Sequence, residues 1–134
     1  MKTPDSISKI RLWSAYILHT LIVLLLLMGA INNLLQTEMA VKGAMEMGYP
    51  SSSIPFLGIV LLLSTILFAI PRTTFLGALL ITAWLGGAVA THIINSDPIH
   101  FLFIPVLFGI LVWGSIWLRN DKLGHLIRSV KSSK

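Results

Sequence analysis

Cysteine is absent from this sequence. That absence excludes disulfides, thiolate nucleophiles, iron–sulfur ligation and Cys-based zinc sites, and it leaves the compartment open. Charge is nearly as scarce. Only 11% of the 134 residues are charged, and 5 are acidic, against roughly 25% charged in an ordinary soluble domain. So little charge does not cover a water-facing surface. Phosphate-cradling loops, nucleophile–base pairs and paired carboxylates inside the apolar runs are missing as well, which removes the usual signatures of phosphoryl transfer and hydrolysis.

What remains is strongly apolar. Hydrophobic residues make up 55% of the chain and the mean hydropathy is +0.86, so lipid is the solvent expected for much of the surface. The length predicts one domain, residues 1–134. Residues 12–35, 54–70, 76–94 and 99–118 form runs without a formal charge, each near the about 20 residues that cross a bilayer. The fold class expected is all-α, an integral membrane four-helix bundle with a short interfacial helix between the first two spans. The first run follows a basic start and resembles a signal peptide. It is too long for one, and no small-residue cleavage site follows it, so it reads as a retained helix. The second is short, which places residues 50–53 at interfacial depth.

Residues 36–50 form the one long connection. Glu38, Lys42 and Glu46 recur every fourth residue, which predicts a surface-lying amphipathic helix over about 37–47. The methionines around it read as packing material rather than as thioether copper ligands. Gly48 and Pro50 stop that helix, and Ser51 to Ser53 offer N-caps for the next. Thr73 or Thr74 is the expected cap after the tight turn at Pro71. Asp97 followed by Pro98 reads as an N-cap and first helical position, and Pro105 predicts a kink in the last span. Residues 119–134 are basic, with Leu123, Leu126, Ile127 and Val130 at amphipathic spacing.

Charge sets the topology. Lys2, Lys9, Arg11, Arg72, Arg119, Lys122, Arg128, Lys131 and Lys134 fall on one side of a four-span chain, and Lys42 alone on the other. The positive-inside rule then puts both termini in the cytoplasm of a multi-pass protein of the bacterial inner membrane. The net charge of +5 lacks the basic stripe that nucleic acid requires. The partners expected are the lipid bilayer, a second copy or a partner membrane subunit, and no nucleic acid.

The polar residues within the apolar runs are few. Ala83, Gly87 and Thr91 share a face of the third span, widened by Gly86 and Ala90, which predicts close helix packing there. Trp84, opposite, is expected to fill a groove, and Gly109 and Gly114 to permit close approach of the last span. His92, Thr91, Asp97 and His100 gather at the outward end, with Tyr49 at the same level. Their spacing is no metal-ligand motif, so no metal is expected, and the residues themselves require no cofactor. Asn32 and Asn33 mark the outer end of the first span. His19 reads as a neutral imidazole facing the bundle in the opposite leaflet, and an ionisable group within a span is a site candidate by default.

Met47-Gly48-Tyr49-Pro50, Leu57-Gly58, Pro71-Arg72, Gly77-Ala78, Thr91-His92, Asp97 and Arg119, in that order, resemble the DoxX-like family of small four-helix bacterial membrane proteins. The resemblance covers residues 29–119. It implies a bundle in the cytoplasmic membrane, and the family takes its name from a subunit associated with thiosulfate:quinone oxidation. Members commonly carry a Lys near the end of the first helix and a Glu early in the second. Here Asn32 or Asn33 and Leu61 occupy those places, so both charges are missing together. Three functions follow as expectations. The first, non-catalytic, is a pocket near the outer face for a lipophilic molecule or partner helices. The second is a membrane subunit of a quinone-linked oxidoreductase, with His92 donating to a quinone carbonyl. The third is a small transporter or channel, for which no inverted repeat or broken helix is visible.

Overall fold

A computed structural model describes residues 8–120 together with 122, 125, 129, 130 and 132. Lys2, Leu123, Leu126, Ile127, Arg128, Lys131 and Lys134, and with them most of the expected amphipathic tail, lie outside the described residues. The described chain is helical: α1 (Lys9–Leu34), α2 (Glu38–Glu46), α3 (Ile54–Ala69), α4 (Thr74–Ile94) and α5 (His100–Arg119). α1, α4, α5 and α3 with its preceding 3₁₀ turn Ser51–Ser53 are long and apolar enough to cross a membrane. At most 33% of the most apolar stretch of any of them is buried. Helices this apolar with this much outward surface are solvated by lipid, and the chain is a multi-pass membrane protein.

Local sequence explains most boundaries. The Ser8 hydroxyl accepts from Arg11 N–H at 3.2 Å and the Thr37 hydroxyl from Ala40 N–H at 3.4 Å, so α1 and α2 begin on N-caps of the expected type. α1, α2 and α4 all end in the same way. Gln36, Gly48 and Ser96 take positive φ (49°, 84° and 57°). The next residue then returns its N–H to the carbonyl five positions back, Thr37 to Asn32, Tyr49 to Ala44 and Asp97 to His92. These are Schellman closures. Only Gly48 is the residue type that favours this backbone.

Several expected caps are absent. Ser53 and Thr73 occupy N-cap positions without capping by their side chains. The Ser53 hydroxyl donates to Pro50 O, and those of Thr73 and Thr74 donate to the Leu67 and Ile70 carbonyls at the end of α3. In an apolar surround the orphan carbonyls closing α3 are as costly as the orphan N–H groups opening α4. Asp97 caps nothing. α5 starts at His100 behind Ile99, with no side-chain cap, and continues as one helix through Pro105, whose missing N–H frees one carbonyl.

The spans pack in the cyclic order α1, α3, α4, α5, with α5 closing back on α1. The core joins Ile22, Leu26 and Ala30 of α1, Leu61 and Phe68 of α3, Ala78, Ile81 and Leu85 of α4, and Val112 and Ile116 of α5. Two glycines fix the closest approaches. A Cβ at Gly58 would lie 2.9 Å from Leu34 N and 3.0 Å from Ala30 O, and one at Gly77 would fall onto the backbone of Leu67 and Phe68. The expected packing face of Ala83, Gly86, Gly87 and Ala90 does not behave this way. A Cβ at Gly86 or Gly87 would meet nothing within 4 Å, nor would one at Gly114. α3 and α4 therefore touch tightly at the end bearing Arg72 and are not in contact at Gly87, toward the other end. α2 is laid across that opening.

Candidate ligand-binding site

The gap left by Gly87 is a cavity of about 410 Å³. α2 supplies Met39, Gly43 and Ala44, α3 supplies Leu57, and α4 supplies Trp84, Gly87, Ala88 and Thr91, with Asn33 of α1 and Tyr49 also in the lining. Glu38, Lys42 and Glu46 point away and are exposed, as the four-residue spacing predicted, so α2 presents its small residues Ala40, Gly43 and Ala44 inward, with Met39 lining the cavity while largely exposed. Three hydrogen bonds hold this roof. Gln36 Nε2 donates to Ser51 O at 3.3 Å, Asn95 Nδ2 donates to Glu46 O at 3.3 Å, and Tyr49 Oη lies 2.8 Å from Thr91 Oγ1. Thr91 Oγ1 is also 2.8 Å from Gly87 O. A hydroxyl has one hydrogen, and a carbonyl only accepts. Thr91 therefore donates to Gly87 and Tyr49 donates to Thr91.

A second cavity, of about 250 Å³, lies among α1, α3, α4 and α5. Trp84 and Ala88 belong to the walls of both, so the indole partitions one from the other. Its Nε1–H is buried and has no hydrogen-bond partner among the described residues. Ser64, Thr65 and Thr82 donate to carbonyls four residues back, and Trp113 Nε1 donates to Thr82 Oγ1 at 2.9 Å.

His92 faces this second cavity, not the first, because adjacent helical residues diverge by about 100°. Thr91 and His92 are thus neighbours in sequence that serve different hollows. His92 Nδ1 lies 2.7 Å from Asp97 Oδ2, and its ring stacks on Phe101 with centroids 5.8 Å apart and planes 20° apart. Asp97 reaches it because the closure of α4 ties Asp97 N–H to His92 O at 3.0 Å. The residue read as opening α5 instead closes α4.

The remaining candidates are dispersed. His100 is exposed and packs on Phe101 at 4.5 Å, apart from both cavities. Asn32 uses its carbonyl to end α1, while Asn33 is the one that lines the larger cavity. His19 is buried at the opposite end, its ring 4.3 Å from Phe68. Its Nδ1 lies 3.1 Å from an Arg119 nitrogen. A guanidinium only donates, so His19 Nδ1 accepts. Arg119 also donates to Ser115 O and lies over the Tyr16 ring at 5.6 Å. Among the described residues no group of three His, Asp or Glu is close enough to share a metal.

A model of the DoxX-like family matches residues 17–115, most of the chain. The chain belongs to the DoxX-like family. No curated protein and no solved structure matches it. The DoxX-like match contains all the residues of both cavities and of the His92–Asp97 pair, and it stops short of Arg119. Asn33 lines the larger cavity and Leu61 the smaller. Sequence reasoning expected one pocket near the outer face but read the small residues as a packing surface, and it found neither the two separate cavities nor the buried Trp84 nitrogen. The signal available for them was a run of small residues, and that signal does not distinguish contact from space.

Proposed function

We propose that this protein binds a lipophilic small molecule in the larger cavity, under α2, and has no catalytic activity of its own there. The observation that carries the reading is the fate of the small residues. Gly43, Gly87 and Ala88 line a hollow of about 410 Å³, within the roughly 300–1,000 Å³ of small-molecule sites. Lipid-facing helices gain packing energy by closing such gaps, so a gap kept open beside a roof helix is suited to a guest. The walls are chiefly apolar, with Asn33, Tyr49 and Thr91 as the polar marks that orient it. Met39 and Met47 bring flexible thioethers that adapt to varied shapes. Lys42 lies at the α2 end and Arg11, Arg72 and Arg119 at the other, so the positive-inside rule supports a cytoplasmic placement of both termini and an outward-facing cavity in a bacterial inner membrane.

Extraction in native lipid followed by mass spectrometry of the bound molecules tests this. A lipophilic compound held at a fixed ratio by the native protein and lost from a folded Gly87→Leu variant is the expected result. An identical lipid complement in both proteins sinks the reading. Orientation is tested separately: a cysteine placed at position 42 reacts with an impermeant label from outside, and one placed at position 72 only after the membrane is opened.

A further inference from the structure

The second cavity carries its own polar instruction, independent of the first. A neutral imidazole has one hydrogen to place between its two nitrogens, and an ionised carboxylate only accepts. Asp97 Oδ2, 2.7 Å from Nδ1, therefore takes the hydrogen of His92 at Nδ1. Nε2 is left as a bare lone pair. The ring does not turn to hide it, because it is held at one edge by Asp97 and on one face by Phe101. Among the described residues nothing donates to Nε2. His92 is part of a wall otherwise made of apolar side chains such as Leu25, Leu61, Ile104 and Phe108, together with Trp84.

We propose that this cavity binds a membrane-soluble alcohol or phenol whose hydroxyl donates to His92 Nε2. The polarity of the bond decides the ligand class. An acceptor-only group, such as a ketone, an ether or a quinone carbonyl, finds no donor at Nε2 in this tautomer. A hydroxyl brings the hydrogen that this lone pair lacks. The volume of about 250 Å³ admits a single ring with a short alkyl tail, and Phe101, Phe108 and Trp84 favour an aromatic one through offset and edge contacts. Asp97 is a positioning residue: it touches no ligand and acts by fixing the tautomer.

The test uses the full chain in phosphatidylcholine nanodiscs, titrated with para-butylphenol and with its methyl ether, para-butylanisole, and corrected against empty nanodiscs. The phenol is expected to bind about fivefold more tightly than the ether, the effect of one net hydrogen bond. The preference disappears in His92→Phe, with ether affinity retained, and weakens in Asp97→Leu, where the tautomer is released. It persists in Gly87→Leu, which obstructs only the larger cavity, so failure here and failure of the proposed function are separate results. Nitrogen-15 NMR of the native protein supplies a second readout. His92 is expected to carry its hydrogen on Nδ1, and the Nε2 resonance to shift on adding the phenol. Equal affinity for phenol and ether, as from a site occupied by water alone, overturns the proposal. So does a phenol preference that survives His92→Phe or is lost with Gly87→Leu, or a hydrogen found on Nε2 of His92.

Discussion

Gly77→Ala and Gly87→Ala add the same methyl group to the same helix, and the structure separates their outcomes. At Gly77 the new Cβ falls onto the Leu67–Phe68 backbone. The obstacle is main chain close to the turn at Pro71, so no side chain can swing aside, and α3 must move away from α4. Overpacking of this kind costs about 1–3 kcal/mol even where side chains share the strain. Phe68 is fully buried, so displacing its backbone disturbs the core as well, and the upper end of that range applies. At Gly87 the methyl enters the larger cavity and meets nothing within 4 Å. The better helix propensity of alanine then acts alone, stabilising by up to about 1 kcal/mol. The two variants should therefore differ by about 2–4 kcal/mol, a factor of roughly 30 to 1,000 in the folded-to-unfolded ratio at 1.36 kcal/mol per decade. Reversible unfolding by SDS in mixed micelles, followed by tryptophan fluorescence, measures both. Equal stabilities, or a Gly87→Ala variant less stable than Gly77→Ala, would refute the account of α3 and α4 as tightly packed at one end and held apart at the other.

Three further outcomes are expected. Gly58→Ala costs about 1–2 kcal/mol in the same SDS assay, less than Gly77→Ala, because its closest contacts of 2.9–3.0 Å to Leu34, Ala30 and Asn33 need give only a few tenths of an ångström. Tyr49→Phe removes the donor to Thr91 and loosens α2. Hydrogen exchange of the Gly48 and Tyr49 amides should quicken by about five- to tenfold, from a bond of about 1 kcal/mol, while the core of α3 exchanges unchanged. His19→Phe keeps the ring against Phe68 but leaves Arg119 without its imidazole acceptor, costing about 1–3 kcal/mol. Adding Arg119→Leu should then cost less than it does in the native background, and strictly additive costs in that cycle count against a His19–Arg119 interaction.

The sequence alone determined the class, the number of spans, the amphipathic α2 with its charged stripe outward, and the stop at Gly48. These follow from hydropathy, four-residue spacing and backbone preference, all of which act within a few neighbouring residues. It also determined that His19 lies at the opposite end from the Tyr49–His92 region, because helical rise fixes position along the bundle.

Tertiary structure decided what those residues meet. Asp97 before Pro98 has the composition of a helix start, yet it closes α4, because the left-handed Ser96 turns the chain back on His92, and neither serine nor asparagine signals that turn as glycine does. His19 finds Arg119, separated by 100 positions in sequence, only because α5 returns beside α1. The glycines show the limit most clearly. Gly58 and Gly77 sit against backbone, while Gly87 sits against open space. A residue without a side chain carries no record of its surroundings. Whether it brings two helices together or holds a cavity between them depends on where the rest of the chain lies.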